Sequence, residues 1–388
     1  MKTNKQDNIK LVYISDSEIP SKRANSVHVM HMCNAFAKLG YEVTLLGLAG
    51  KKTDHDEILD WYGVSGFKLA LSTLRVPKLS LHLHARFMLR KVKQIKPDVI
   101  FGRSLFGAGL LLKNGFKLGF ETHDPIEVLQ PRQKRVFEAI SASDNLKCIV
   151  VISNVLKQML IEKSAHVTEG KVKAIHDGAT VQEGHKVALD QYKWPLEKGQ
   201  RIQIGYVGTI SQGRGIELIL LMAEKLPKAD FHIIGALKQD LSKINMDAEG
   251  EYPNVYFHGF VSPKEASIAR RHCDILLAPY QENIKLKSGK NTSGYMSPLK
   301  IFEYMEAGKP IVVSDLPVLH EVIVHQVNGL FCAPTNVEEW VKAIELLTEK
   351  PDLRKKMGEN GRKDIEEKLS WEKRAEHIIR TITKQEAD

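Results

Sequence analysis

The sequence predicts an α/β protein built from two doubly wound parallel-sheet domains in tandem, and three observations carry that expectation. Strand-length apolar runs alternate with stretches of helical spacing along most of the chain. Those runs are apolar at consecutive positions, as in strands covered on both faces. A polar interruption at 181–200, "VQEGHKVALDQYKWPLEKGQ", divides the alternation into two series. The length of 388 residues agrees with two domains of ordinary size.

The elements follow in order. "IKLVYIS" reads as the first strand, with a polar loop over 16–25 after it. In "SVHVMHMCNAFAKLGYEVTLLGL", Val29, Met32, Cys33, Phe36 and Leu39 share one helical face; Gly40 stops the helix and "EVTLLGL" is the next strand. "PDVIFGR", "LGFETHD", "CIVVIS" and "VKAIHDGA" continue the series, with helices expected at about 131–143 and after Asn154. After the break, "RIQIGYVG", "ADFHIIGA", "VYFHGF", "CDILLAPY" and "PIVVSD" form the second series, and the chain ends in a helical tail. The expected boundaries are a first domain at 1–184, a linker at 185–200, a second domain at 201–366 and a terminal helix at 367–388. Ligands of such sheets bind outside the carboxyl ends of the strands, so two of them face to face are expected to form a cleft there.

Composition narrows the class. Hydrophobic residues make up 43% and charged residues 27%, as in a soluble globular protein. No apolar run reaches the roughly 18 residues of a spanning helix. The start of the chain, polar and then entering a strand, has no apolar leader, and the four cysteines (Cys33, Cys148, Cys273, Cys332) are scattered among apolar neighbours, so a cytoplasmic protein with reduced thiols is expected. The net charge of +9 fits nucleic acid, an anionic membrane surface or anionic small molecules. No nucleic-acid module is evident and aromatics are only 7%, so nucleic acid is not an expected partner. Basic residues thicken at 82–96, where Arg86, Arg90, Lys91 and Lys93 interleave with Leu83, Phe87, Leu89 and Val92. An amphipathic surface helix accounts for that pattern, and so does a patch that docks on acidic lipid headgroups at the inner membrane face.

Two stretches of the second series carry chemistry. In "GYVGTISQGRGIE", Gly208, Gly213 and Gly215 surround Arg214 and lead into a helix. The loop lacks the Lys-Ser/Thr of a Walker A motif and the glycine spacing of a dinucleotide fingerprint. Small residues, a helix start and a fixed cation still suit an anion. In "SPLKIFEYMEAGKPIVVSDLPVLHEVI", Ser297 is placed to cap a helix with Pro298 at its first position, and Gly308 closes it. Lys300 lies in the first turn, where a cation opposes the helix dipole unless an anion is bound. Glu303, one turn later, can accept hydrogen bonds from two vicinal hydroxyls, as on a ribose. In the first series, Asn25, Ser26 and His28 in "SEIPSKRANSVHVM" and Arg103 in "FGRS" are weaker candidates for an acceptor side.

"PLKIFEYMEAGKPIVVSDLPVLHEVI", with "YVGTISQGRGIELIL", "HDGA", "VYFHGFV" and "LSWEKRAEHII", resembles the group-1 (family four) glycosyltransferases of the GT-B fold. The resemblance spans most of the chain and is stronger in the second domain. It implies two Rossmann-like domains with the terminal helix crossing back to the first. It also implies a retaining, metal-independent hexosyltransferase that moves a sugar from a nucleotide-diphosphate sugar to an acceptor hydroxyl in glycan or glycolipid assembly. The nucleotide sugar is then a co-substrate and no cofactor is expected. By the same resemblance Glu303 grips the ribose. Gly208, Thr209, Gly213, Gly215 and the turn of Gly294, Tyr295, Met296, Ser297 and Pro298 hold the donor. Arg214 meets its diphosphate and His123 lies near the transferred sugar, while Lys300, from its own place in the first turn, is expected to supply further charge at the diphosphate. Trp371 begins the returning helix. Tyr295 stands where the family carries a further glutamate, and Thr209 where it often carries arginine. No DxD-type pair stands out, since Asp16 and Glu18 are isolated and Asp274 and Asp315 border strands. Two other readings share the architecture: a sugar-nucleotide epimerase, and a noncatalytic protein that binds sugar nucleotides.

Overall fold

The computed structural model describes residues 9–21, 23–51, 54–73, 80–181, 201–244, 246, 252–284 and 291–384. The expected linker at 185–200 lies outside them. The chain divides into two compact units, residues 1–177 with 371–388, and residues 178–370.

The first unit is a seven-stranded parallel sheet in the order β3-β2-β1-β4-β5-β6-β7. Its strands are β1 (Lys10–Ile19), β2 (Glu42–Ala49), β3 (Lys68–Ser72), β4 (Val99–Gly102), β5 (Leu118–Thr122), β6 (Leu146–Val151) and β7 (Val172–Ala174). Between them run α1 (Ala24–Lys38), α2 (His55–Tyr62), α3 (Ser80–Ile95), α4 (Leu105–Lys113), α5 (Pro131–Ser141) and α6 (Asn154–Lys163). The consecutive apolar residues Leu11, Val12, Tyr13 and Ile14 are all fully buried, because helices cover both faces of the central strand. β1 extends beyond the sequence expectation: its register against β2 shifts between Ile14 and Glu18, and residues of the expected loop still pair, Glu18 with Leu48 and Ile19 with Ala49. The short strand β3 and the helices α2 and α4 are additions to the elements expected from sequence.

The second unit is a six-stranded parallel sheet in the order β10-β9-β8-β11-β12-β13. Its strands are β8 (Ile202–Val207), β9 (Ala229–Ile234), β10 (Val255–Phe257), β11 (Ile275–Ala278), β12 (Ile311–Ser314) and β13 (Leu330–Cys332). Helices α7 (Ile216–Lys225), α8 (Pro263–His272), α9 (Leu299–Glu306), α10 (Val337–Glu349) and α11 (Pro351–Glu367) cover it. Ile204, Phe231, Ile233, Ile275 and Trp340 are buried in one apolar core. Strand order reverses beside β8, which makes its carboxyl end a topological switch point.

The helical tail comprises three helices. The last, α12 (Trp371–Lys384), belongs to the first unit, where it packs on α1 and β6. The architecture is thus the expected pair of doubly wound α/β domains. All four cysteines are buried thiols.

Candidate functional site

In the second unit the candidates gather at the carboxyl ends of β8 and β11 and the start of α9. Gly208 directly follows β8, and a Cβ there would stand 2.9 Å from Lys300 Nζ. The backbone there has φ of +158°, and the ammonium occupies the space a side chain would take. Lys300 Nζ lies 3.8 Å from the centre of the Tyr206 ring and 5.3 Å from that of Tyr280, whose face also receives Arg214 at 5.4 Å. Two cations thus share a wall of two buried tyrosines. No described carboxylate forms an ion pair with either of them. Burial, followed by the neighbouring Arg214, pushes the Lys300 ammonium well below its ordinary range, and Glu303 only partly offsets this. A second charge of the same sign in a confined aromatic wall is a latent anion site.

The glycines of the preceding loop serve packing first. Gly213 and Gly215 have φ of +83° and +73°, and a Cβ on either would strike the carbonyl of Asn283 or of Pro279. The loop lies directly on the chain leaving β11, with the Gln281 N–H donating to the Gly213 carbonyl. That contact aims Arg214 and starts α7 at Ile216. Thr209 is exposed, and its carbonyl accepts from the Tyr206 hydroxyl.

The turn before α9 corrects two local expectations. The helix starts at Leu299 with Pro298 in the capping position, and no side chain caps it. The N–H groups of Tyr295 and Met296 both donate to the Thr292 carbonyl, so those two amides are spent inside the turn and are not offered to a ligand. Gly294 is exposed, whereas Tyr295 and Met296 are buried. Glu303 lies on α9 with one carboxylate oxygen, Oε2, 3.2 Å from Arg270 Nη1 of α8. Its side chain is 33% exposed and that of Arg270 only 8%. A buried arginine therefore grips one side of the carboxylate and leaves the other side for a ligand.

The first unit holds a second cluster. His123, directly after β5, donates through Nε2 to Glu121 Oε1. The same oxygen lies 2.9 Å from His28 Nε2 and 3.1 Å from Arg374 Nη2. His28 Nδ1 lies 3.0 Å from Asp177 Oδ1. Arg374, on α12, also donates to the carbonyls of Ile175 and His176. His28 stacks edge-on against His123 and Trp371. Burial opposes charging of His28, but Glu121 and Asp177 prevail and raise its pKa. His123 goes the other way, to about 4, through burial and the nearby Arg103. Burial also opposes the charge on Asp177, yet His28 and Arg374 hold it down to about 2.

His28, Glu121 and His123 present ligand-type atoms within 4.8 Å of one another, the one such group among the described residues. Both imidazoles are spent on one carboxylate oxygen, and Arg374 adds positive charge at that oxygen, so these residues make a poor cation site.

The weaker first-unit candidates divide. His28 belongs to the buried cluster and not to a loop surface. The Ser26 hydroxyl is turned inward, bonded to the carbonyls of Ser21 and Arg23, and does not cap the helix, whose capping residue is Arg23. Asn25, at the start of α1, has a buried Oδ1 with no hydrogen-bond partner among the described residues, and Arg103, after β4, has a buried Nη1 in the same condition. The basic helix forms as α3: Ala85, Met88 and Val92 are buried while Arg86, Arg90 and Lys93 stay exposed. No helix among the described residues is long and apolar enough to cross a membrane. Sequence reading missed Tyr206, Tyr280, Arg270, Glu121 and Arg374. Tyr206 and Tyr280 sit at strand ends in "GYVG" and "APY", and Glu121 sits two residues before His123 in "ETHD", which are the available signals.

Residues 190–364 match the family described as glycosyl transferases group 1, and residues 26–183 match glycosyltransferase family 4. A glycosyltransferase of Methanocaldococcus jannaschii is 26% identical over 231 residues, covering 58% of this chain and 55% of that one. One from Haemophilus influenzae is 24% identical over 342 residues, covering 86% and 89%. The chain thus spans little more than half the length of the first curated relatives it matches, at 55% and 58%. In shape it is similar to the Anabaena protein HepE, solved with UDP-glucose, with a TM-score of 0.72 and 15% identity over 97% of this chain and all of that one. That likeness shows the GT-B fold. These matches do not favour the epimerase or the noncatalytic reading.

Proposed function

This chain belongs to the group 1 glycosyltransferases, and we propose that it moves a sugar from a nucleoside-diphosphate sugar to an acceptor hydroxyl with retention of anomeric configuration and without a metal. The observation that carries the reading is the pair of basic side chains, Lys300 and Arg214, held on Tyr206 and Tyr280 beside Gly208 with no ion-pair partner among the described residues. As the glycosidic bond breaks, the anomeric carbon becomes oxocarbenium-like and negative charge grows on the departing diphosphate. Preorganised cations in an aromatic wall stabilise that charge without reorganising, which lowers the barrier of the step. Glu303, braced by Arg270, accepts from the two ribose hydroxyls and anchors the nucleoside end.

The acceptor is a glycan or a lipid-linked sugar. The exposed Arg86, Arg90 and Lys93 of α3 support a surface that attracts acidic headgroups, which would bring the chain to a membrane-borne acceptor.

A thermal-shift panel of UDP, GDP, ADP and their sugars, run without metal, tests the reading. The correct nucleotide raises the midpoint as ln(1 + [L]/Kd) grows. No response to any of them would sink it, and a response that appears only with added divalent cation would sink the metal-independent part.

A further inference from the structure

Strand order in the first unit reverses beside β1, which makes the carboxyl ends of β1 and β4 the switch point of that sheet. Pairing of these two strands ends at Ile14 and Gly102, and Arg103 follows at once. Its N–H donates to the Ile14 carbonyl. Gly102 has φ of +146°, and a Cβ there would lie 2.2 Å from that same carbonyl oxygen. Ser104, on the other side, caps α4 by accepting from the Gly107 N–H. Arg103 is thus pinned between a strand end and a helix cap, and its place is fixed before any ligand arrives.

The guanidinium has no counter-ion among the described residues. The neighbouring carboxylates are committed elsewhere. Asp16 Oδ1 accepts from the Ser104 hydroxyl at 2.7 Å. Glu121 accepts from Arg374 and His123. The field of Arg103 reaches Tyr13, Asp16 and His123, yet its buried Nη1 has no hydrogen-bond partner among the described residues. Tyr13, fully buried on β1, has a hydroxyl in the same condition. Arg103 itself is half-buried, so the group is open to a ligand on one side. Water or a sugar hydroxyl would fill one hydrogen bond and leave the charge unbalanced. A carboxylate or a phosphate fills the planar fork and balances the charge together.

We propose that Arg103 is a specificity-determining residue that binds an oxyanion carried by the acceptor, so that the acceptor is an acidic sugar: one bearing a carboxylate or a phosphate ester. Calling the ligand an acceptor rests on the glycosyl-transfer reading; the oxyanion site rests on the geometry of the first unit alone.

The test titrates the full chain with glucuronic acid, glucose 6-phosphate and glucose, read by saturation-transfer NMR without a donor. Only the difference between wild type and Arg103 variants counts, because Lys300 and Arg214 of the second unit also attract anions. At least one of the two acids should bind about tenfold tighter than glucose, the worth of one hydrogen bond to a charged group. Preference for glucuronic acid identifies a carboxylate, and preference for glucose 6-phosphate a phosphate ester. Arg103→Met should bring the preferred acid to the level of glucose. Arg103→Lys, which keeps the charge and loses the fork, should retain part of the preference. Acids that bind no better than glucose, or a preference that survives in Arg103→Met, would overturn the inference. Since the guanidinium holds no partner in the protein, Arg103→Met should melt no lower than wild type; a marked drop would reveal a structural role and overturn it too. Acid binding through Arg103 with no response to any nucleotide would sink the glycosyl-transfer reading and leave the oxyanion site standing. A nucleotide response without acid preference would do the reverse.

Discussion

Arg270 of α8 and Glu303 of α9 meet at 3.2 Å, with the arginine the more deeply buried partner. One carboxylate oxygen is thereby fixed to the protein. The pair turns a helix-surface glutamate, a residue type usually left to solvent, into an oriented acceptor.

Replacing Glu303 by Ala should therefore weaken binding of the correct nucleotide about 100-fold, since two hydrogen bonds to a charged acceptor are lost. Arg270→Leu should weaken it about tenfold, by loosening the carboxylate and not by removing a ligand contact. The double variant should resemble Glu303→Ala alone, because the two residues act as one unit. Titration calorimetry checks all three, and additive losses would show that Arg270 acts elsewhere.

Gly208→Ala places a methyl group 2.9 Å from the Lys300 ammonium. The lysine end can shift, but φ of +158° is rarely adopted by residues with a side chain, so stability should fall as well. Affinity for a nucleoside diphosphate should fall several-fold while affinity for the nucleoside is kept. Gly215→Ala meets the Pro279 carbonyl at 1.8 Å instead of a side-chain end, and φ is +73°. It should destabilise the second unit by on the order of 3 kcal/mol, read from denaturant unfolding.

Lys300 gives nucleotide binding a pH dependence. Its pKa is depressed in the free protein by burial and by Arg214. A bound diphosphate favours the charged form and raises that pKa, so binding takes up a proton between the two values. Affinity should therefore fall as pH rises from the depressed value of the free protein toward the raised value of the complex. Lys300→Met should bind more weakly and lose that decline. A decline that survives in the variant would assign it to another group.

The cluster that ties α12 to the first unit should set its acid stability. Asp177 is held at about 2, against roughly 3.9 in an unfolded chain. A depressed carboxylate stabilises the fold above the unfolded value, and that contribution disappears as pH falls from about 4 toward 2. Arg374→Met leaves two buried carboxylates with a single cation and should cost about 3–5 kcal/mol at neutral pH. It should also flatten the acid limb of a melting-temperature profile.

Arg90→Glu combined with Lys93→Glu reverses charge on the exposed face of α3 while leaving Met88 and Val92 in the core. Binding to vesicles containing anionic lipid should drop at low salt with the melting temperature unchanged. Binding that persists would exclude this face as the docking surface.

Sequence alone determined the two doubly wound sheets, because consecutive apolar residues such as Leu11–Ile14 have no stable place except a strand covered on both sides. The motifs around Gly208, Arg214, Lys300 and Glu303 also carry the family resemblance from which a nucleotide end is proposed. What only the tertiary structure decided is what each charge faces. Arg270 stands 33 residues from Glu303, and Arg374 stands 253 from Glu121, so no local pattern links either pair. The same holds for the ends of β1 and α9, where pairing with Leu48 and capture of the Met296 amide by Thr292 outweighed local propensity. An isolated chain solvates every charge alike. Burial removes the water, and the nearest partner, supplied by a distant strand or helix, then determines whether a lysine, a histidine or a glutamate is ionised and which way it points.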